Sequence, residues 1–532
     1  MRHLSPAQLR ELMGSGTPHA VLDVREGGEY NTAHIPRSTS LPRRWLEWRA
    51  GRLMPHTGIT VAVVDDDGRR AALASATLEA MGYTDVCVLQ GGLFRWVTDG
   101  LPTEWGVNVP SKVFGERVLT EQAVTEIGPD ELRAWMDGGR EVLLLDSRTP
   151  EEHASATLPG SRSLPGGELA LRFAALNPPP GVPVVVHCAG RTRSIMGART
   201  LARLGVENVL ALRNGTMGWA MAGSALEHGS TRTQPPEVDT AQRMEADTRV
   251  RALAEADGVR PVDAAGVRAL LAEASDRTVY CVDVRTREEY QAGHIPGFVW
   301  FPGGQLVQAT DEVVAVQDAT LVLACDGWAR AGLAASWLRQ MGHADVRVLD
   351  GGTVAWTSAG GALESGDGLA EPFGLAEARA SVPTLDAGSL GAIATHGADI
   401  PDAPVVLYVG TSREFSAGHV PGARWVPRGW LEEQAPALLE DAGVAVVTVC
   451  ADGAQSLLAA RTLQRRGHVS VSALEGGMRA WRAAQLPEEH GLTGVLTPPQ
   501  DMVLTGTERS GADMMRYLQW ELELGERRGH GG

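Results

Sequence analysis

Residues 182–194, VPVVVHCAGRTRS, decide the fold of the second quarter of this chain. An apolar run rich in valine leads into Cys188, and a short loop containing glycine and arginine then opens a segment with helical character. Short apolar strands that alternate with helices are typical of a parallel sheet covered by helices on both faces. In open sheets of this kind ligands bind at the carboxyl ends of the strands, which is where Cys188 lies.

The same pattern occurs four times along the 532 residues. Apolar runs ending in Asp-x-Arg contain Asp23, Asp146 and Asp283, and Tyr408 takes the equivalent place in the fourth run. These positions are spaced 123, 137 and 125 residues apart. The tryptophans that follow a Gly-Gly or Asn-Gly pair repeat at the same intervals: Trp96, Trp219, Trp356 and Trp481. Identical spacing at independent landmarks indicates duplication of a whole domain.

The repeats predict an α/β protein of four tandem domains, each a small parallel sheet with helices on both faces. A stretch rich in proline, threonine and charge explains the longest interval and predicts a linker that becomes helical. The predicted divisions are domains at 1–108, 117–228, 248–366 and 376–490, a linker at 229–247 and a C-terminal helical tail at 491–532.

Composition excludes several classes of function. The chain has 48 Lys and Arg against 65 Asp and Glu, a formal net charge of −17, which disfavours nucleic acid as a partner. Five cysteines without a CxxC pair exclude a disulfide scaffold and indicate no zinc site. No apolar run approaches the ~18 residues of a membrane span, and the start of the chain lacks the apolar core of a signal peptide. We therefore expect a soluble cytoplasmic protein with reduced thiols, without a metal or a membrane partner.

Cysteine recurs at one place in the repeats. The position 42 residues after the Asp-x-Arg aspartate holds Cys188, Cys325 and Cys450 in three repeats, and Asp65 in the first. This position ends a strand and precedes a helix, where the positive end of the helix and its free N–H groups favour a thiolate. The same N–H groups can hold an anion. The pattern predicts reactive cysteines rather than buried core residues.

Together, the Asp-x-Arg strand, the His-Ile-Pro-Gly turn, the Cys loop and the Gly-Gly…Trp ending resemble the rhodanese (sulfurtransferase) domain, four times over about 90% of the chain. The resemblance implies transfer of a sulfane sulfur through a cysteine persulfide, with no cofactor. It implies a small anionic donor such as thiosulfate, and a thiol or cyanide as acceptor. A sulfur-acceptor protein is a further candidate partner.

The loop of Cys188 is the strongest candidate, because it carries two arginines and the stretch from Val186 to Arg203 contains no acidic residue. We expect Cys188 to be the nucleophile, Cys325 to be a second active cysteine despite the adjacent Asp326, and Cys450 to be weak or vestigial. The predicted substrate-binding residues are Ala189, Gly190, Arg191, Thr192, Arg193, Ser194 and Arg330.

The first repeat serves as an internal control. It has lost the cysteine but keeps Asp23, Arg25, His34 and Trp96, so these motifs do not depend on a working nucleophile. We interpret Asp-x-Arg as an internal ion pair, the tryptophans as core, and Cys87 and Cys281 as buried strand residues. Thr157 replaces the turn histidine in the second repeat, which argues against a catalytic base at this position.

Three other functions stay open at this point. A persulfide could pass between Cys188, Cys325 and Cys450 or on to a partner protein, or the chain could be a non-catalytic sulfur-binding or sensing scaffold. A phosphatase of the Cdc25 type is the weakest alternative, because its Cys-x5-Arg loop is one residue longer than the loop from Cys188 to Arg193.

Overall fold

The computed structural model describes residues 2–275, 277–396, 403–438 and 443–526. Within these ranges the chain forms four parallel sheets of five strands, one per repeat. Counting strands along each repeat, every sheet has the order 1-5-4-2-3. The predicted fold class is therefore confirmed.

The first two repeats contain these elements. In the first repeat the strands are β1 (Arg2–Leu4), β2 (His19–Asp23), β3 (Thr39–Ser40), β4 (Thr60–Val64) and β5 (Asp85–Leu89), and the helices are α1 (Pro6–Gly14), α2 (Gly27–Thr32), α3 (Leu46–Leu53), α4 (Arg69–Ala80) and α5 (Gly92–Thr98). Helix α6 (Val109–Glu121) precedes the second repeat, whose strands are β6 (Glu126–Ile127), β7 (Leu143–Asp146), β8 (Arg162–Ser163), β9 (Val184–His187) and β10 (Val209–Leu212). Its helices are α7 (Pro129–Asp137), α8 (Pro150–Ser155), α9 (Leu169–Arg172), α10 (Thr192–Arg203) and α11 (Gly215–Met221).

The last two repeats follow the same plan. Helix α12 (Thr240–Ala256) precedes the third repeat, whose strands are β11 (Arg260–Val262), β12 (Val279–Asp283), β13 (Val299–Trp300), β14 (Thr320–Ala324) and β15 (Val346–Leu349), and whose helices are α13 (Ala264–Ala272), α14 (Arg287–Ala292), α15 (Gly303–Gln308), α16 (Ala329–Met341) and α17 (Gly352–Ser358). Helix α18 (Leu375–Ser381) precedes β16 (Thr384–Leu385), β17 (Val405–Tyr408), β18 (Arg424–Trp425), β19 (Val446–Val449) and β20 (Val471–Leu474), with α19 (Ala387–His396), α20 (Ser412–Ala417), α21 (Leu431–Leu438), α22 (Ala454–Arg465) and α23 (Gly477–Ala483). The last helix is α24 (Gly511–Glu526), and short 3-10 turns lie at Arg43–Trp45, Ala174–Leu176, Glu273–Ser275, Thr310–Glu312, Arg428–Trp430 and Gly506–Glu508.

Strand pairing brings the sequence landmarks together. The central strands are apolar and buried on both faces, as expected for a parallel sheet between helices. Asp146 at the end of β7 pairs with His187 at the end of β9, so the Asp-x-Arg segment lies beside the residue that precedes Cys188. The other repeats have the equivalent register.

The Asn-Gly…Trp segment of the second repeat holds the cysteine loop. The main-chain N–H of Thr216, at the start of α11, donates to the carbonyl of Cys188 at 2.8 Å. Gly215 has a φ of +52°, and an added Cβ would lie 2.2 Å from that same carbonyl oxygen, so only glycine fits. Trp219 is buried, and its indole N–H donates to the carbonyl of Ala225 at 2.9 Å. The core interpretation of the tryptophans is confirmed, since Trp96, Trp356 and Trp481 are also buried.

The chain forms two compact units. One combines the first and fourth repeats, from Met1–Val107 and Leu369–Val503, and the other combines the second and third repeats with the C-terminal helix, from Asn108–Gly368 and Leu504–Gly532. The predicted linker 229–247 runs into α12, and the predicted tail contains α24. Among the described residues, no helix is long and apolar enough to cross a membrane.

Candidate active site at the Cys188 loop

Cys188 follows β9 directly and lies in the loop that opens α10. Its side chain is 2% exposed. The Sγ atom lies 3.7 Å from the Oγ of Ser194, which itself donates to the carbonyl of Arg191 at 2.7 Å. The loop thus curls around the sulfur at the N-terminal end of a helix, a position that favours negative charge.

The Asp-x-Arg motif braces the neighbouring strand end. Arg148 donates from Nε to Asp146 at 2.9 Å and from Nη2 to the carbonyl of Ala156 at 2.5 Å. Although burial alone would raise it, the pKa of Asp146 is held well below its usual range by His187, Arg148 and His153. The interpretation of this motif as an internal ion pair is confirmed.

The turn histidine of the other repeats is also structural. His34 stacks on the ring of Tyr30 at 3.8 Å and shares a hydrogen bond between its Nδ1 and the carbonyl of that residue at 3.0 Å. His294 and His419 make the equivalent contacts with Tyr290 and Phe415.

The two arginines of the Cys188 loop are bound to carboxylates. Arg193 donates from both terminal nitrogens to Glu152 on α8, at 2.6 and 2.8 Å. Arg191 donates to both oxygens of Glu116 on α6, at 2.6 and 2.9 Å. The sequence favoured this loop because it has two arginines and no acidic residue, but Glu152 and Glu116 from other segments of the chain neutralise both arginines.

The C-terminal segment lies against the same loop. An added Cβ on Gly190 would lie 3.0 Å from Oε2 of Glu521 on α24 and 3.7 Å from Cε1 of Tyr517. An added Cβ on Gly506 would lie 3.4 Å from the Cβ of Ala189. Gly506, Tyr517 and Glu521 could not be predicted from the sequence, because an amphipathic tail does not indicate what its buried face contacts.

Lys112 is the one lysine of the chain, and it lies in the same cluster. It is buried on α6, with its Nζ 5.2 Å from the ring centre of Tyr517 and 5.1 Å from that of Trp520. Burial lowers the pKa of Lys112 to about 8, against the opposing effect of Glu521. The sequence contains one signal for this residue, because Lys112 is the one lysine among 48 basic residues.

The loop of Cys325 is occupied by a side chain. Asp247 on α12 accepts hydrogen bonds through Oδ1 from the main-chain N–H groups of Trp328 and Ala329, at 2.9 and 2.7 Å. Burial, and then the charge of Asp326, raise the pKa of Cys325 to about 12. This thiol is therefore protonated near neutral pH.

Arg330 does not face an open site. Its side chain is fully buried, and the guanidinium donates to Glu168, Glu289 and Asp326 at 3.1, 2.5 and 2.7 Å. The spacing from Cys325 predicted a substrate contact, but these three carboxylates already use the guanidinium. A substrate contact at Arg330 stays a prediction.

In the first and fourth loops, main-chain N–H groups donate hydrogen bonds to the residue at the nucleophile position. Asp65 accepts hydrogen bonds from the N–H groups of Gly68 and Ala71, at 2.5 and 3.1 Å. In the fourth loop the Sγ of Cys450 accepts from Gly453 and Ser456, at 3.2 and 3.3 Å. Burial raises the pKa of Cys450, and hydrogen bonds from Ser456 oppose this effect.

The remaining cysteines, Cys87 and Cys281, are buried in strands as expected. Among the described residues, no group of three or more His, Cys, Asp or Glu side chains could hold a metal ion.

A family model described as the rhodanese-like domain matches four segments of the chain, at residues 5–99, 128–222, 266–359 and 398–484. The chain belongs to the rhodanese-like family. The four matches coincide with the four repeats, and each includes the nucleophile position of its repeat. Helices α6, α12 and α24 lie outside all of them.

A crystal structure of a thiosulfate sulfurtransferase from Pseudomonas aeruginosa is similar over the whole length. It is 37% identical, with a TM-score of 0.89, and the alignment covers 99% of this rhodanese-like chain and 98% of that one. A sulfurtransferase of Allochromatium vinosum is 33% identical over 100 residues, which are 19% of this chain and 92% of the relative. SseB of Mycobacterium tuberculosis is 31% identical over 190 residues, and the match spans 28% of this chain and 65% of that relative.

Proposed function

We propose that this rhodanese-like protein is a sulfurtransferase that uses Cys188 as its nucleophile. The observation that carries the proposal is the comparison of the four equivalent loops. The first has Asp65 in place of the nucleophile, the third has its loop N–H groups bound by Asp247, and the fourth has Asp452 with Oδ1 3.7 Å from Sγ. The second loop combines a thiol, a helix N-terminus and two arginines without an acidic residue of its own.

In the first half-reaction the Cys188 thiolate attacks the outer sulfur of a donor such as thiosulfate. A bond forms between Sγ and that sulfur, the sulfur–sulfur bond of the donor breaks, and sulfite leaves with the electron pair. The N–H groups from Ala189 to Ser194 and the positive end of α10 would stabilise the persulfide anion. No cofactor takes part.

In the second half-reaction a thiol or cyanide attacks the outer sulfur of the persulfide, and the Cys188 thiolate leaves. Two separate half-reactions through one covalent intermediate give ping-pong kinetics. The burial of Cys188 favours a small acceptor over a folded protein, although a sulfur-acceptor protein with an extended segment would also fit. Five free thiols agree with a reducing, cytoplasmic location.

The experiment is a thiosulfate:cyanide assay on the wild type and on Cys188→Ser, Cys325→Ser and Cys450→Ser. We expect Cys188→Ser to lose most of the activity and the other two variants to keep most of it. Similar losses in all three variants would favour a relay between the cysteines, and no loss in Cys188→Ser would overturn the proposal.

A further inference from the structure

Two segments outside the family matches lie near the Cys188 loop. They are α6, which supplies Lys112 and Glu116, and the stretch from Leu504 to Glu526, which supplies Tyr517 and Glu521. An added Cβ on Gly525 would lie 3.2 Å from the Cβ of Glu116, so α24 packs directly on α6. The cluster is therefore an addition to the common domain, placed at the candidate nucleophile.

Glu521 is the unusual member of the cluster. Its side chain is 2% exposed, and Oε1 accepts a hydrogen bond from the hydroxyl of Tyr517 at 2.9 Å. Among the described residues, Oε2 has no hydrogen-bond partner, and it lies against Gly190, two residues after the nucleophile. A buried carboxylate oxygen without a partner costs free energy and needs an explanation.

Titratable and charged groups on α6, on the Cys188 loop and on α24 act on Glu521. Burial raises the pKa of Glu521, and the charge of Glu116 raises it further. Lys112, the hydrogen bond from Tyr517 and the charge of Arg191 lower it. The net effect raises the pKa of Glu521, which brings this carboxyl closer to neutral pH, as a proton-transfer group requires. The charged and titratable groups facing this carboxylate are Lys112 and Glu116 on α6, Arg191 on the loop, and Tyr517 on α24, with Arg509 over the ring of Tyr517.

We propose that Glu521 accepts the proton of an incoming thiol at Cys188, so that small neutral thiols are the acceptor class of this site. The inference rests on the proposed function, since it requires a persulfide on Cys188. A neutral thiol is a poor nucleophile until it loses its proton, and a buried carboxylate at the loop can take it. The same carboxylate disfavours a dianionic acceptor.

The transfer exchanges one sulfur–sulfur bond for another and moves one proton. The acceptor sulfur forms a bond to the outer sulfur of the persulfide while the bond between that sulfur and Sγ of Cys188 breaks. The thiol proton passes to Glu521 and then to the departing Cys188 thiolate. The products are the acceptor persulfide and the Cys188 thiol, and neither an oxidant nor a reductant is consumed.

The test compares two acceptors in single turnovers of the full-length protein, loaded beforehand with thiosulfate. 2-Mercaptoethanol must lose a proton, whereas sulfite at pH 8 does not. For Glu521→Gln we expect the rate with 2-mercaptoethanol to fall by a factor of ~100, within the range of general base catalysis, and the rate with sulfite to stay equal or rise. Glu526→Gln, at an exposed position of the same helix, should change neither rate.

A second variant gives a readout that a packing role would not move. Tyr517→Phe removes the hydrogen bond that lowers the pKa of Glu521, so the acidic limb of the pH profile with 2-mercaptoethanol should shift to higher pH. Equal losses with both acceptors in Glu521→Gln, or an unshifted profile in Tyr517→Phe, would overturn the inference and leave the persulfide proposal intact. A wild-type protein that never loads sulfur would overturn both.

Discussion

Asp65 and Cys450 occupy the same place in the first and fourth repeats. Each accepts hydrogen bonds from the main-chain N–H groups three and six residues further along, Gly68 and Ala71 for the carboxylate, Gly453 and Ser456 for the thiol. The carboxylate of Asp65 therefore fills the space that an anionic sulfur would use. With the nucleophile replaced in the first repeat, the loop is folded around a carboxyl group.

We expect that restoring a cysteine in the first repeat does not restore chemistry. Asp65→Cys, made in the Cys188→Ser background, should show little persulfide formation with thiosulfate, because Asp66 and Asp67 adjoin the new thiol and oppose its ionisation. Mass spectrometry of the peptide containing residue 65 measures this directly. Sulfur loading near the wild-type extent would show that the loop backbone alone is enough.

The arginines of the Cys188 loop give a second prediction. Arg193→Ala should raise the KM for thiosulfate by about tenfold, because a charge-assisted hydrogen bond contributes about 1.5–3 kcal/mol. Arg191→Ala should raise the KM less, because the side chains of Arg191 and Glu116 are 2% and 6% exposed, against 12% and 34% for Arg193 and Glu152. Added salt should change the KM little, since buried pairs are poorly screened.

The control for these variants is Arg213→Ala, whose side chain is 55% exposed. It should leave donor kinetics unchanged. Wild-type KM values in both loop variants would exclude a role for either arginine in donor binding.

The loop of Cys325 predicts a measurable difference in reactivity. With a pKa of about 12, this thiol should alkylate slowly at pH 8. The alkylation rate should then rise about tenfold for each unit of increasing pH, as long as the pH stays below the pKa. Asp247→Ala releases the N–H groups of Trp328 and Ala329, so we expect faster alkylation of Cys325 by iodoacetamide at pH 8.

Glu245→Ala, an exposed acid on the same helix, is the matched control and should have no effect. If Cys325 alkylates equally fast in the wild type and in Asp247→Ala, Asp247 does not limit its reactivity.

The first repeat should matter for stability rather than for chemistry. Arg428 of the fourth repeat is buried, and it donates to Glu47 at 3.0 Å and to the carbonyl of Arg44 at 3.0 Å. Deletion of Met1–Val107 removes both partners and exposes to water the surface of the fourth repeat on which Trp48 packs. We expect a lower melting temperature or solubility, with sulfur transfer at Cys188 retained per folded molecule.

Calorimetry and specific activity of the shortened chain measure these two effects separately. A shortened protein as stable as the full chain but inactive would show that the first repeat contributes to the active site.

The sequence was sufficient for the fold and for placing Cys188, Cys325 and Cys450 directly after a strand, because both depend on spacing within a repeat. It could not predict the surroundings of that position, since these are contacts between residues far apart in the chain. Glu116 lies 75 residues before Arg191, and Glu521 comes from the other end of the unit. Asp247, in the segment interpreted as a linker, could not be recognised as the ligand of the Cys325 loop.

The central claim is that sulfur is carried on Cys188. The most direct measurement is the intact mass of the protein after incubation with thiosulfate and removal of excess donor, followed by peptide mapping. We predict that the wild type gains the mass of one sulfur atom, on the peptide containing Cys188, and that Cys188→Ser gains none. An equal gain in Cys188→Ser, or loading found only on Cys325 or Cys450, would contradict this account.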